Sequence, residues 1–323
     1  MKRCLITGAS GFVGANLARR LLQDGHELDV FLRPEHQNWR LEEIAPHLHT
    51  HRVDVINREE VRRAVSLIRP DWVFHLAAHG AYSTQTGLAR MVDVNLMGCV
   101  SLLDACVETR PEAFVYTGSS SEYGYKDHPP REDEILEPNS HYAITKAAAT
   151  HYCQFVARNT GVNAVTVRLY SIYGPYEDPR RLIPTLIVHG LRGTLPPLVS
   201  PTTARDFVYV DDAVDALVLL AQKSPRPGAI YNLCTGTQTA LASVIETARK
   251  LLRVAAEPVW SSMESRSWDT DVWVGSPDAM EKEIGWRPKT DFATGLQKTI
   301  DWFRNHPKWL EYYTSHIAPG SSR

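Results

Sequence analysis

The stretch Thr7-Gly8-Ala9-Ser10-Gly11-Phe12-Val13-Gly14 decides the fold of this 323-residue chain. It follows a short apolar run and precedes a helical pattern that begins near Phe12. Glycine at these three positions allows a tight turn, a close approach of the backbone to a diphosphate and close packing of helix on sheet. A helix N-terminus also presents N–H donors and positive potential. The stretch therefore predicts a dinucleotide-binding turn made by Gly8, Ser10, Gly11, Phe12, Val13 and Gly14.

Outward from this turn, the first half of the chain alternates short apolar runs with longer amphipathic stretches. Continuous apolar runs indicate strands buried on both faces, and their alternation with helices indicates parallel strands joined by right-handed crossovers. We therefore predict an α/β fold with a doubly wound parallel sheet. The predicted strands cover residues 4–7, 28–32, 51–53, 72–76, 114–117 and 164–169, and the predicted helices cover residues 12–23, 58–68, 88–107 and 143–159.

The pattern changes after Tyr173, where proline-rich connections begin. Proline favours turns and loops because it fixes φ and lacks an N–H donor. We predict that residues 1–173 form a dinucleotide-binding domain. Residues 174–317 are predicted to form mainly a smaller C-terminal substrate-binding lobe, with some segments returning to the first domain.

The composition excludes several classes of protein. A formal net charge of -2 gives no basic field of the kind that follows a nucleic-acid backbone. The five cysteines contain no C-x-x-C pair, so we expect reduced thiols and neither a disulfide framework nor a metal site. A strand pattern begins at the first residues, and no apolar run approaches the length of a membrane span. We expect a cytoplasmic protein without membrane or nucleic-acid partners.

The residue at the end of the second strand is expected to determine whether NAD or NADP binds. In NAD-binding proteins an acidic side chain commonly holds the ribose hydroxyls at this position. This chain has Arg33 there. A guanidinium suits the 2′-phosphate of NADP(H), which we therefore favour, with NAD(H) as the alternative if Arg33 is only a solvated surface residue. Asp54, after the third strand, has two readings, a contact to the adenine amino group or a helix cap.

Tyr142 and Lys146 are spaced i,i+4 in an alanine-rich helical stretch, which places the phenol and the ammonium on one face a single turn apart. An adjacent cation favours the phenolate, so Tyr142 could carry the proton of an alcohol or carbonyl. Ser119 follows the fifth strand, at the sheet edge where open α/β sheets bind ligands, and its hydroxyl could share that proton. The alternatives are a solvated Tyr-Lys pair and a serine-rich turn that satisfies its own backbone.

Taken together, these motifs resemble the extended short-chain dehydrogenase/reductase family, the group of nucleotide-sugar epimerases, dehydratases and ketoreductases. The resemblance covers nearly the whole chain: T-G-A-S-G-F-V-G at 7–14, H-L-A-A at 75–78, N-L-M-G at 95–98, S-S-S-E-Y-G at 119–124, Y-A-I-T-K at 142–146, R-L-Y-S-I-Y-G-P at 168–175, R-D-F-V-Y-V-D-D at 205–212 and G-W-R-P at 285–288. It implies a Rossmann-type domain, a smaller substrate lobe, a nucleotide-sugar substrate and a homodimer built on two helices from each subunit.

The resemblance also implies roles for individual residues. Ser119, Tyr142 and Lys146 match the catalytic residues of the family, and the last two also contact the cofactor. Arg205 and Arg266 match arginines that hold the phosphates of the sugar nucleotide, although each could instead be a structural ion-pair partner. We further assign Val55, Leu76, Ala77 and Ala78 to the cofactor site.

This sequence departs from the family pattern around the sugar. Members that eliminate water commonly carry an acid two residues before the Tyr-Gly of the serine motif, and 4,6-dehydratases add an Asp one position earlier. Those positions are Ser121 and Ser120 here, and the nearby acid Glu122 is shifted by one. The Asn expected at Ser171 is missing, and His79 replaces a more usual residue after the fourth strand. All five residues are candidate substrate contacts, with a structural loop histidine as the alternative for His79.

The sequence thus predicts an enzyme that transfers hydride at carbon 4 of a nucleotide-activated hexose. A 4-epimerase retains its cofactor and a 4-ketoreductase exchanges it, and both readings remain open. The alternatives are a dehydratase of the same family and a non-catalytic, dinucleotide-sensing regulator, which would be expected to lose the proton-handling residues.

Overall fold

The main sheet is built from the buried apolar runs of the sequence. The structure, a computed structural model, describes residues 1–33, 38–81, 85–223, 225–263 and 271–317. Seven parallel strands lie in the order β10-β6-β5-β4-β1-β2-β3. These strands are β1 (Arg3–Thr7), β2 (Glu27–Leu32), β3 (His49–Arg52), β4 (Trp72–His75), β5 (Ala113–Ser119), β6 (Ala164–Leu169) and β10 (Ile230–Leu233). The predicted doubly wound, Rossmann-type α/β fold is confirmed.

Helices cover both faces of the sheet and continue into the C-terminal half. They are α1 (Phe12–Gln23), α2 (Arg58–Ile68), α3 (Leu88–Met91), α4 (Gly98–Thr109), α5 (His141–Thr160), α6 (Leu182–Gly190), α7 (Val210–Lys223), α8 (Leu241–Leu252), α9 (Phe292–Asn305) and α10 (Pro307–His316). Two small sheets pair β7 (Ser171–Tyr173) with β9 (Phe207–Tyr209), and β8 (Ala204–Arg205) with β11 (Thr239–Ala240). Among the described residues, no helix is long and apolar enough to cross a membrane.

The predicted elements differ from the observed ones mainly at their boundaries. The third strand lies at His49–Arg52, two residues earlier than predicted at its start. The long helix predicted over 88–107 is interrupted by a π-helical segment, Val92–Met97, between α3 and α4. A π segment widens the helix locally, and here it coincides with a buried side chain, Asn95, that bonds outside the helix.

Strand register brings the predicted site segments to one edge of the sheet. Thr7 at the end of β1 pairs with His75 at the end of β4, and His75 pairs with Tyr116 on β5. Because the strands are parallel, the segments that follow β1, β4 and β5 emerge at the same edge. The C-terminal half also contributes to this sheet, since β10 pairs with β6. The domain boundary at residues 173 and 174 stays a prediction.

Candidate active site

The glycine turn joins β1 to the exposed end of α1. Gly8 has φ +76°, a conformation that favours glycine, and the Gly11 N–H donates to the Gly8 carbonyl at 2.9 Å. Helix α1 begins at Phe12 with no side-chain cap and no acidic residue in its first turn. Backbone N–H donors and the positive end of the helix dipole are therefore left for an anion. The predicted turn residues Ser10, Phe12 and Val13 lie in this segment, so the turn fits the diphosphate of a dinucleotide.

The segment after β4 packs directly on this turn. A Cβ atom at Gly8 would lie 2.6 Å from the Ala77 backbone nitrogen, so only glycine permits this approach. Thr7 strengthens the junction, because its Oγ1 lies 2.6 Å from Nδ1 of the buried His75 and accepts a long, 3.4 Å bond from the Ala77 N–H. The structure thus places the predicted cofactor segment Leu76, Ala77 and Ala78 against the phosphate turn.

Asp54 lies just beyond β3, and its carboxylate pairs with Arg90 at 3.1 Å. The cap of α2 is Asn57, whose side chain accepts from the Glu60 N–H, so the helix-cap reading of Asp54 was wrong. Val55, the other residue predicted here, is buried, and a Cβ at Gly98 would contact its side chain.

His79, which follows β4, lies near two arginines. Burial lowers the pKa of His79, and the guanidinium groups of Arg90 and Arg33 lower it further. His79 is therefore neutral at physiological pH, while Arg33 lies close enough to influence it.

Arg40 lies beside the glycine turn and was not among the residues predicted from the sequence. It is 9% exposed, and its Nε donates to the Tyr176 carbonyl at 2.6 Å while Nη1 donates to the Ser10 carbonyl at 3.3 Å. Its guanidinium also stacks over the Trp39 ring at 4.3 Å. A charged group is thereby fixed beside the phosphate turn, 30 residues away in sequence. No local motif marks such a contact.

Helix α5 carries the predicted Tyr-Lys pair. Ser140 caps the helix, with its Oγ accepting from the Ala143 N–H at 3.1 Å. Lys146 is 1% exposed, donates from Nζ to the Thr117 carbonyl at 2.5 Å and lies 4.4 Å from the centre of the Tyr116 ring. Burial lowers the pKa of Lys146 to about 8, partly opposed by attraction to carboxylate and thiolate charges nearby. Tyr142, half-buried, lies one turn before it on the same helix.

Ser119 ends β5 and begins a short 3₁₀ turn, Ser120–Tyr123. Its Oγ accepts from the Ser121 N–H at 3.2 Å, which leaves the hydroxyl hydrogen able to donate. Because Lys146 bonds to the carbonyl two residues before Ser119, the start of α5 and the end of β5 are joined at this edge. Ser120 is buried, and Ser121 is half-buried.

Glu122 was predicted to contact substrate, and the structure corrects this prediction. The residue is fully buried and pairs with Arg168, whose Nε lies 2.9 Å from Oε2. Its Oε1 accepts from the Ser119 N–H at 2.8 Å and from Thr150 Oγ1 at 3.1 Å. Ser119 and Glu122 form a capping box, a signature already present in their spacing. All its hydrogen-bonding capacity is directed into the core, so Glu122 offers no surface to a sugar.

Asn95, in the N-L-M-G motif, links the site's loops to the Tyr-Lys helix. Its Oδ1 accepts from the His79 N–H, and its Nδ2 donates to the His79 carbonyl, both at 2.8 Å. Nδ2 also lies 3.0 Å from Oγ1 of Thr145, beside Lys146 on α5. The backbone of His79 is therefore fixed, while its half-buried ring remains beside the site.

The C-terminal half contributes the remaining predicted substrate residues. Arg205 on β8 is half-buried, donates to the Ala204 carbonyl at 2.7 Å and lies over the Trp273 ring at 5.3 Å. Ser171 begins β7 and is half-buried, with its N–H bonded to the Asp206 carbonyl. Arg266 lies outside the described residues. Within the described ranges, no group of three or more His, Cys, Asp or Glu side chains is arranged to hold a metal ion.

A parallel sheet with an uncapped helix after a glycine turn defines a Rossmann-type protein of the kind that binds dinucleotides. Comparison with known proteins extends this assignment. Residues 4–234 match the model of the NAD dependent epimerase/dehydratase family. The chain therefore belongs to that family, within the extended short-chain dehydrogenase/reductase group that acts on nucleotide sugars.

Individual relatives are distant but cover nearly the whole chain. A dTDP-glucose 4,6-dehydratase of Neisseria meningitidis serogroup B is 26% identical, over 100% of this chain and 98% of the relative. Among solved structures, a UDP-glucose 4-epimerase of Thermotoga maritima with UDP-glucose has a TM-score of 0.86 and 26% identity, covering 94% of this chain and 99% of that one. A UDP-glucose 4-epimerase of Thermus thermophilus in complex with NAD has a TM-score of 0.82 and 29% identity, with the same coverage.

Proposed function

We propose that this protein is a nucleotide-sugar 4-epimerase or 4-ketoreductase that uses Tyr142 as its proton carrier. The bound nicotinamide dinucleotide supplies the acceptor or donor of hydride at carbon 4 of the hexose. Tyr142 takes or gives the proton of the oxygen on that carbon, and Ser119 hydrogen-bonds to the same oxygen. Lys146, fixed by its bond to the Thr117 carbonyl, stabilises the phenolate with its charge.

The burial of Glu122 is the observation that favours hydride transfer over elimination of water in this proposal. Elimination needs an acid and a base besides the proton carrier, and the two positions that supply them in dehydrating members are Ser120 and Ser121 here. The neighbouring carboxylate of Glu122 is enclosed in an ion pair with Arg168, so it cannot replace them. The dehydratase remains the second candidate, because relatives such as the Neisseria protein carry that name.

The cofactor preference forms a separate part of the proposal. We favour NADP(H) because Arg33 stands where an NAD-binding acid is common. NAD(H) is the alternative, since the Thermus thermophilus relative is described with NAD. Fluorescence titration with NADPH and NADH tests the preference. An Arg33→Gln variant should lose affinity for NADPH more than for NADH, whereas equal losses contradict a role of Arg33 in 2′-phosphate recognition.

Product analysis tests the reaction itself. The protein is incubated with UDP-glucose or dTDP-glucose and an oxidised dinucleotide, and separately with NADPH and a 4-keto-6-deoxy nucleotide sugar. A product of unchanged mass and altered NMR couplings identifies an epimerase, and stoichiometric oxidation of NADPH identifies a ketoreductase. A product lighter by one water identifies a dehydratase and contradicts the proposal. Binding of dinucleotide without turnover of any nucleotide sugar identifies the non-catalytic regulator.

We also propose that two copies pair through α4 and α5, as the family resemblance implies. Large apolar side chains are exposed on and beside these helices: Met97 at 46%, Ile144 at 50% and Phe155 at 62%. Pairing would remove this apolar surface from water. Sedimentation analysis should show a dimer that Phe155→Lys weakens, while Leu67→Lys, an exposed apolar position on α2, should not. A monomeric wild-type protein contradicts this arrangement.

A further inference from the structure

Cys99 and Cys153 form a buried pair of thiols behind the candidate active site. Cys99 lies in the first turn of α4 and Cys153 in the middle of α5. Their sulfur atoms are 3.4 Å apart, both side chains are at most 1% exposed, and both thiols are free. A disulfide needs a sulfur separation of about 2.05 Å, so a further approach of about 1.4 Å would join them.

The surroundings make the two thiols differ in how readily they ionise. The hydrogen bond with Cys153 lowers the pKa of Cys99 against the effect of burial, and His75 and Lys146 act in the same direction. Burial raises the pKa of Cys153, which therefore keeps its proton. The thiolate is the form that reacts with oxidants, so Cys99 is the nucleophile and Cys153 the resolving thiol. Cys106, on the same helix as Cys99, has a pKa raised by burial.

We propose that Cys99 and Cys153 form a reversible intrachain disulfide on exposure to a peroxide, and that this bond lowers turnover. The Cys99 thiolate attacks one peroxide oxygen, and the O–O bond breaks to give a sulfenic acid and hydroxide, which takes a proton to become water. The Cys153 sulfur then displaces the hydroxyl of the sulfenic acid and gives up its proton, so a second water leaves as the S–S bond forms. The thiols lose two electrons to the peroxide, and an added dithiol returns them.

The position of the pair explains its effect on the site. Cys153 follows Lys146 by seven residues, two turns along the same face of α5. Negative charge on Cys99 attracts the Lys146 ammonium, so the two groups interact electrostatically. Closing the disulfide draws α4 and α5 together two turns along α5 from Lys146 and removes the ionisable thiol of Cys99. A displacement of about 1 Å in an enzyme site can cost on the order of a hundredfold in rate. This effect on turnover rests on the proposed function, whereas formation of the disulfide does not.

The experiment measures disulfide formation and enzyme activity separately. The purified protein is treated with hydrogen peroxide, then alkylated, digested and analysed by mass spectrometry, while turnover is measured before treatment, after it and after dithiothreitol. We expect a linked Cys99–Cys153 peptide, a turnover loss of up to about a hundredfold and recovery on reduction. Because both thiols are enclosed, the reaction should require local opening and proceed slowly.

Matched variants complete the test. Cys153→Ala and Cys99→Ala should each abolish the linked peptide, and treatment should not lower the turnover of either variant below its own untreated value. Either variant suffices if the other does not fold. Cys106 is also a fully buried cysteine on α4. Its variant Cys106→Ala should form the linked peptide and lose turnover on treatment, as the wild-type protein does. Absence of the linked peptide overturns the proposed site. A linked peptide with unchanged turnover, or a loss of turnover that persists in both pair variants, overturns its effect on activity. If no nucleotide sugar is turned over even before treatment, the proposed function fails while the peptide analysis still decides the disulfide.

Discussion

Replacing Glu122 by Gln tests whether this carboxylate belongs to the core or to the reaction. The charge lies 2.9 Å from Arg168 Nε, and neither side chain is more than 1% exposed. Gln retains the shape but removes the negative charge, and it introduces an N–H₂ group among donors from Ser119 and Thr150. Arg168 then becomes a buried cation without its counter-charge.

The expected loss of stability is large. Breaking a buried ion pair by removing one partner costs about 3–5 kcal/mol, because the remaining charge has lost both water and its partner. Total stabilities of about 5–15 kcal/mol are usual, so Glu122→Gln should consume a substantial part of the free energy of unfolding. The double variant Glu122→Gln/Arg168→Met removes both charges and should recover much of the loss, since an apolar replacement of a whole pair is often neutral.

Urea unfolding, followed by tryptophan fluorescence and far-UV circular dichroism, measures these differences. Glu134→Gln is the control, because Glu134 pairs with the exposed His128 at the surface and should cost less than about 1 kcal/mol. If Glu122→Gln unfolds at the wild-type urea concentration but has lost turnover, Glu122 acts on the substrate and its assignment to the core is wrong.

Three further predictions concern the proton-handling groups and one buried acid. Tyr142→Phe should lower turnover by roughly 10²–10⁴-fold and lower dinucleotide affinity in fluorescence titration far less, because the ring is retained; unaltered turnover excludes Tyr142 as the proton carrier. Burial lowers the pKa of Lys146 to about 8, so kcat/KM should fall as pH rises through that value and the ammonium loses its charge; a flat pH profile there is the contrary result. Burial raises the pKa of Glu177 from 4.5 to about 8, so the native state holds a proton that the unfolded state has released, and stability falls with rising pH across that window. Glu177→Gln should remove this slope and be the more stable protein at pH 8 by up to a few kcal/mol in thermal denaturation, whereas a less stable variant at that pH refutes the reasoning.

The sequence was sufficient for the features that depend on short-range patterns. The glycine turn needs only the spacing of Gly8, Gly11 and Gly14 and the apolar run before it, and the parallel sheet follows from continuous buried runs separated by helices. The pairing of Tyr142 with Lys146 on one helix face is likewise a matter of spacing. Their catalytic roles stay predictions.

Long-range contacts account for what the sequence analysis missed. Arg168 is 46 residues from Glu122, and Arg40 is 30 residues from Ser10, so no local pattern connects them. The structural role of Glu122 could have been predicted from the sequence. Ser119 and Glu122 are three residues apart, which is the spacing of a capping box, and this pattern favours a turn over an extended segment. The interruption near Asn95 depends on tertiary bonds to two other segments and left no trace in the hydrophobic periodicity.

The placement of negative charge favours the proposed hydride chemistry over elimination of water. Oxidation or reduction at one carbon requires a single proton to move at one oxygen, which Tyr142 with Lys146 can provide. Elimination of water requires two additional transfers, one from a neighbouring carbon and one to the departing hydroxyl, and each needs its own ionisable group. The serine motif offers hydroxyls at 119–121, and its carboxylate is neutralised by Arg168 inside the core. If the protein is a ketoreductase, its 4-keto substrate must therefore come from a separate eliminating enzyme; if it is an epimerase, substrate and product must have the same mass.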